Sequence, residues 1–282
     1  MDITYSTLCG CSADYENAVM VLFGAPFEPR ITRHQEGVGN APSAIRSVYP
    51  NMETFSPYLR IDLRDLNIFD AGDLDISGKE AITAIDAIES FCGKIHDDGK
   101  TPVMIGGEHI VACGAIRAAA NRWPDLAVLH FDAHADLKRD FCGEAFTDRT
   151  LIRRVWDILG DNRIYQFGVR SGSREEFEWS VDRTRIETGS VNSIDNCMEA
   201  VMSRPIYITV DLDVLDPAEF PATNMHEAGG MSFNALYDTL LCLRGLDVVG
   251  FDICELYPPY DTNGVSTALA AKLLREMLIA FA

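Results

Sequence analysis

Uninterrupted apolar runs alternate along this chain with stretches whose apolar residues recur at helical spacing. Residues 18–26 and 66–73 read as strands, the first without polar alternation and therefore covered on both faces. Residues 43–48 read as a short helix, and residues 79–96 as a longer one with Ile82, Ile85, Ile88, Phe91 and Ile95 on one face. Strand then helix recurs from there: 102–105 before 112–123, 127–131 before 151–159, and 163–169 before 174–181. Helical residues 197–202 and 234–243 precede strands at 206–210 and 248–253, and a helix over 265–281 closes the chain. This alternation predicts an α/β fold, a three-layer sandwich with a mostly parallel central sheet and helices on both faces. No Ser/Gly/Pro-rich linker, composition shift or internal repeat interrupts it, so residues 1–282 are expected to form one domain.

In sheets of this kind ligands bind beyond the carboxyl ends of the strands, and there the polar residues gather. The run Val128-Leu129-His130-Phe131 leads into Asp132-Ala133-His134-Ala135-Asp136; Ile206-Tyr207-Ile208-Thr209-Val210 leads into Asp211-Leu212-Asp213; Val103-Met104-Ile105 leads into Gly106-Gly107-Glu108-His109. If the backbone stays extended through Asp136, then Asp132, His134 and Asp136 all point one way. A single buried Asp or His is ordinarily a hydrogen-bonded structural residue. Four carboxylates converging at one edge need compensating cations, and no Lys or Arg occurs in these motifs before Lys138. Two divalent ions balance Asp132, Asp136, Asp211 and Asp213 and leave His109 and His134 as neutral ligands. An oxygen-rich set without thiolate suits Mn²⁺, with Fe²⁺, Co²⁺ and Zn²⁺ as other occupants.

The bulk numbers narrow the partners. A formal charge of -19 argues against nucleic acid or an anionic membrane surface, while the 47% hydrophobic content supplies a core. No apolar stretch is long enough to span a membrane and the first residues lack the order of a signal peptide, so a cytoplasmic protein is expected. Eight scattered cysteines read as reduced core residues. Cys9-Gly10-Cys11 lacks a second pair at zinc spacing and reads as part of a fraying N-terminal segment.

The three ligand motifs, the last continuing as Val214-Leu215-Asp216-Pro217, resemble the metal signatures of the ureohydrolases, the arginase and agmatinase family. Gly168-Val169-Arg170-Ser171-Gly172 and Glu255-Leu256-Tyr257-Pro258-Pro259-Tyr260-Asp261 resemble its agmatinase side. The resemblance implies that Asp132 and Asp211 bridge two Mn²⁺ ions, that His109 and Asp136 complete one ion, and that His134 and Asp213 complete the other. It implies that Glu255 holds a guanidinium, that Thr223 lies on the substrate side, and that Asp136 passes a proton to the leaving amine. The products would be urea and an amine, and the assembly a homo-oligomer, trimer or hexamer.

Three segments depart from the family pattern. Where members usually carry a histidine after the Asp132–Asp136 motif, this chain aligns Asp148, a poor proton shuttle in place of imidazole. Where they have Thr-Gly-Thr-Pro, it has Thr223-Asn224-Met225-His226, and His226 is a candidate for the missing relay. The loop Pro29-Arg30-Ile31-Thr32-Arg33-His34-Gln35-Glu36-Gly37 differs as well, and Arg30, Arg33, Lys138 and Arg139 would favour a guanidino acid if they border the mouth. The expectation is therefore hydrolysis of an agmatine-like guanidino compound. The alternatives are a guanidino-acid or other guanidine hydrolase, and a catalytically silent metal-binding paralogue.

Overall fold

A computed structural model describes residues 7–29, 36–48 and 51–282. Arg30, Arg33 and His34 lie outside the described residues. Among the described residues ten strands form: β1 (Met20–Ala25), β2 (Phe55–Ser56), β3 (Ile61–Asp62), β4 (Ile68–Asp73), β5 (Thr101–Gly106), β6 (Ala127–Phe131), β7 (Ile164–Val169), β8 (Arg185–Thr188), β9 (Ile206–Asp211) and β10 (Val248–Cys254). The helices are α1 (Ala41–Val48), α2 (Ala81–Asp97), α3 (Ala112–Arg122), α4 (Leu151–Leu159), α5 (Arg174–Ser180), α6 (Ile194–Val201), α7 (Phe233–Cys242) and α8 (Val265–Phe281).

Eight strands make one parallel sheet in the order β4-β1-β5-β10-β9-β6-β7-β8. The short pair β2-β3 stands apart and is antiparallel. Successive residues of the buried strands feed opposite layers, as the two-residue period of a pleated strand requires. Ile206, Ile208 and Val210 enter the core that α1, α6, α7 and α8 cover, while Tyr207 enters the core beneath α2, α3 and α4. The expected three-layer α/β sandwich is present.

Several features differ from the sequence reading, the β2-β3 pair among them. β8, Arg-Ile-Glu-Thr, is a partly exposed edge strand whose polar residues hide it from a search for apolar runs. The Cys9–Cys11 segment is not fraying: Leu8 and Cys11 are buried, the Leu8 N–H donates to Asp70 at 2.8 Å, and Ser12 bridges to β4. Five of the eight free cysteines are buried, whereas Cys9, Cys142 and Cys242 are exposed. Among the described residues no helix is long and apolar enough to cross a membrane.

The four central strands β5, β10, β9 and β6 are neighbours, and each ends in one of the polar motifs. Sheet order thus brings together chemistry that the sequence spreads from residue 106 to residue 255.

Candidate metal centre and its cavity

β6 stops at Phe131, and Asp136 adopts a left-handed backbone (φ 53), so the extended geometry expected through Asp136 is not what gathers its ligands. A local turn does so instead. Asp132 Oδ1 accepts the N–H of His134 at 2.5 Å, and Asp211 Oδ1 accepts that of Asp213 at 2.8 Å. An aspartate that hydrogen-bonds the backbone two residues on curls the chain, so both tails use one device. The β5 tail turns at Gly106-Gly107. A Cβ on Gly107 would stand 2.1 Å from the Phe27 carbonyl oxygen, a position only glycine tolerates.

His109, Asp132, His134, Asp136, Asp211 and Asp213 come together, with His134 the least buried. His109 Nδ1 lies 3.3 Å from Asp132 Oδ2 and 3.4 Å from Asp211 Oδ2. His134 Nδ1 lies 2.8 Å from Asp213 Oδ2 and 3.5 Å from Asp132 Oδ1. Among the described residues, donor atoms within 4.8 Å of one another form three groups, His109/His130/Asp132/Asp136, Asp132/His134/Asp213 and His109/Asp252/Cys254, with Asp132 common to the first two.

Beneath these candidate ligands runs a buried polar row that the sequence reading did not single out. Gln166, His130, Thr209 and Asp252 stand in register on β7, β6, β9 and β10. The Gln166 amide nitrogen donates to the Ala135 carbonyl at 2.9 Å, which fixes its orientation, and contacts His130 Nδ1 at 3.2 Å. The His130 proton therefore sits on Nε2 and is donated to Asp132 Oδ2 at 2.9 Å. Thr209 Oγ1 donates to Asp252 at 2.8 Å, so it accepts from His109 Nε2 at 2.7 Å and leaves His109 Nδ1 facing Asp132 and Asp211, which against burial push the imidazole well above its ordinary range and so hold a positive charge at that place. Tyr207 Oη also donates to Asp252, at 2.9 Å. The signal for Thr209 and His130 was their position two residues before Asp211 and Asp132, on the same face of a strand.

Charge in this cluster is unbalanced. Burial and neighbouring carboxylates raise Asp136 and Asp211 well above the usual carboxylate range, and Asp213 rises for the same reasons. Burial opposes ionisation of Asp132 too, yet His130, His109 and His134 hold it well below that range. His134 is pushed up to about 12 by Asp132 and Asp213 despite burial. His109 Nδ1 is fully buried with no hydrogen-bond partner while facing two carboxylates. A cation is what such an atom lacks, and the nitrogen and oxygen donors suit a hard divalent ion, so the residues fit a metal pair.

Above the ligands opens a cavity of about 170 Å³, lined among others by Asp136, Asp148, Thr223, Asn224, Met225 and Glu255. Glu255 has a left-handed backbone (φ 66); its N–H donates to Gly107 and its Oε1 accepts the His109 N–H at 2.6 Å, tying β10 to the β5 tail. Burial, then the charges of Asp211, Asp148 and Glu108, raise it well above the usual range. Asp148 reaches this cavity with its N–H donating to Glu108 Oε1 at 2.9 Å, and burial raises its carboxyl. Lys138 also lines it, paired with Glu176 at 3.2 Å. His226 does not: it is exposed, with Nε2 2.7 Å from the Pro221 carbonyl oxygen.

A parallel α/β sheet ending in a carboxylate and imidazole cluster fits the class of metal-binding enzymes, and comparison with known proteins identifies the lineage. Residues 18–280 match the model of the arginase family, and the chain belongs to that family as a ureohydrolase. It is similar to an agmatinase of Bacillus anthracis, 37% identical over 94% of this chain and 92% of that protein. It is also similar to a guanidinobutyrase of Pseudomonas aeruginosa, 32% identical over 76% of this chain and 70% of that protein. Among solved structures, the agmatine ureohydrolase of Thermoplasma volcanium superimposes with a TM-score of 0.89 at 34% identity, covering 98% of this chain and 94% of that one.

Proposed function

We propose that this protein hydrolyses a linear, agmatine-like guanidino compound to urea and a primary amine, with two Mn²⁺ ions in the centre described above. The observation that carries the reading is the bare, fully buried Nδ1 of His109 between Asp132 and Asp211. In this assignment Asp132 and Asp211 would hold both ions, with His109 and Asp136 completing one set of ligands and His134 and Asp213 the other. The membership of Asp132 in two of the three donor groups supports its shared role. Bound there, the ions supply Lewis acidity and make a water nucleophilic at neutral pH.

Glu255 receives the guanidinium. Its Oε1 is taken by the His109 N–H, which leaves Oε2 for the charged substrate. Thr223 adds a buried hydroxyl to the same cavity. Water adds to the guanidinium carbon, and Asp136 accepts its proton and delivers it to the departing nitrogen as the C–N bond to the tail breaks. With Asp148 where an imidazole is usual and His226 away from the cavity lining, this route runs through carboxylates.

The test is urea release by Mn²⁺-loaded protein from agmatine, arginine and 4-guanidinobutyrate, together with metal content by mass spectrometry. About two ions per chain and fastest release from agmatine support the proposal. Bound ions with no urea from any guanidine would leave the silent paralogue. A guanidino acid is the second reading, favoured by Lys138 and Arg149 in the cavity wall and distinguished by the same panel.

A further inference from the structure

A second cavity, of about 130 Å³, adjoins the first, and Asp148, Arg149 and Asn224 belong to both walls. Its apolar lining includes the aromatic residues Phe27, Phe141, Phe146 and Tyr257. Glu108 also lines it and is 4% exposed. One oxygen of Glu108 accepts the Asp148 N–H, while the other, Oε2, is shielded from solvent and has no hydrogen-bond partner. Asn224 Oδ1, also in this wall, is likewise shielded and without a partner, its amide nitrogen being turned to Tyr257 Oη at 3.3 Å. The amide oxygen only accepts, and so does Glu108 Oε2 when a cation holds the carboxyl ionised against the burial that raises it, so the partner that suits both is a donor.

The charge of the lining agrees. It holds four acidic residues, Glu80, Glu108, Glu144 and Asp148, against two basic ones, Lys79 and Arg149. Lys79 faces Asp75 at 3.8 Å, and Arg149 lies over the Phe141 ring at 4.1 Å with Nη2 3.2 Å from Met225 Sδ. Burial raises the Glu108 and Asp148 carboxyls, so this wall resists added negative charge and an entering carboxylate would worsen it, whereas a cation would relieve it. An alkylammonium brings only donors, a positive charge, and methylenes that pack on aromatic rings.

We propose that this second cavity seats the distal end of the substrate and that the end it takes is a primary ammonium donating to Glu108 Oε2. The inference rests on the guanidine-hydrolase reading, which puts the guanidinium at Glu255; the tail then passes Asn224 into the second cavity. It makes Glu108 a specificity residue, selecting an amino guanidine over a guanidino acid or an uncharged alkylguanidine.

Urea release by the Mn²⁺-loaded protein is compared for agmatine and butylguanidine, whose tail has the same carbon count without the ammonium. We expect kcat/KM at least tenfold higher for agmatine, and Glu108→Gln to reduce that ratio at least tenfold. Equal values for the two guanidines in the unaltered protein, or a ratio that Glu108→Gln leaves unchanged, overturn the proposal while the hydrolase reading stands. A calorimetric titration of the metal-free protein with 1,4-diaminobutane gives a readout independent of turnover and of Glu108→Gln folding. Binding that Ala81→Leu, which crowds the cavity wall, weakens at least tenfold upholds the ammonium site even if no guanidine is hydrolysed. No binding at millimolar diamine, or binding indifferent to Ala81→Leu, counts against it.

Discussion

The side chain on which the centre turns is His109, and its geometry depends on residues that touch no substrate. Thr209 and Asp252 commit Nε2–H and present Nδ1 to Asp132 and Asp211. Thr209→Val keeps the shape of the side chain and removes that acceptor. Losing such a partner lowers metal affinity by about 10–100-fold, which a Mn²⁺ competition titration reads directly; unchanged affinity would remove Thr209 and Asp252 from the account. A second residue gives a pH signature away from the site. Burial pulls His96 on α2 down from 6.5 to about 4, so it stays neutral in the fold where the unfolded chain already protonates it. Its contribution is fully present above pH 6.5 and is lost as pH falls from there through about 4. His96→Phe should flatten that part of the stability profile, measured as urea midpoints between pH 7 and 4.5. The convergence of Asp132, His134, Asp136, Asp211 and Asp213 was legible because acidic or imidazole groups at i and i+2 after an apolar run are rare without a cation, and His109 was legible as the imidazole at the end of a third such run. Thr209, Gln166 and Asp252 were not, since single polar residues inside apolar strands look like ordinary core positions until strand neighbours are known.

At the scale of elements, the alternation of buried strands and amphipathic helices was enough to predict the parallel sheet, but not its order. Nothing local in residues 248–254 announces that β10 inserts between β5 and β9, although that insertion carries Glu255 to His109. The turns were also hidden: the expected straight continuation of β6 is replaced by a curl at Asp132, a side-chain to backbone bond that periodicity does not encode. Gly107 is the element whose substitution tests this construction. Gly107→Ala drives a methyl against the Phe27 carbonyl, and relieving that overpacking costs about 1–3 kcal/mol while displacing His109 two residues on. Urea denaturation and Mn²⁺ affinity should therefore fall together; a stable variant with normal metal binding would mean that the β5 tail has slack.

For the molecule as a whole, the centre concentrates carboxylates that a chain already at -19 can ill tolerate without cations. Free Mn²⁺ at a hundred times its dissociation constant should add about 2.7 kcal/mol of stability. Thermal unfolding should accordingly move up by several degrees on loading and back down with a chelator, and a melting curve indifferent to both would sink the metal assignment. The row formed by Gln166, His130, Thr209 and Asp252 carries one more consequence. It spans four adjacent strands, and a slip of one residue in any of them would send its member to the opposite layer. Ion capture at the proposed centre would in that sense be a checkpoint on assembly: the donor atoms converge only in chains that have finished threading the middle of the sheet correctly, so the fraction able to take up an added divalent ion would gauge folding yield.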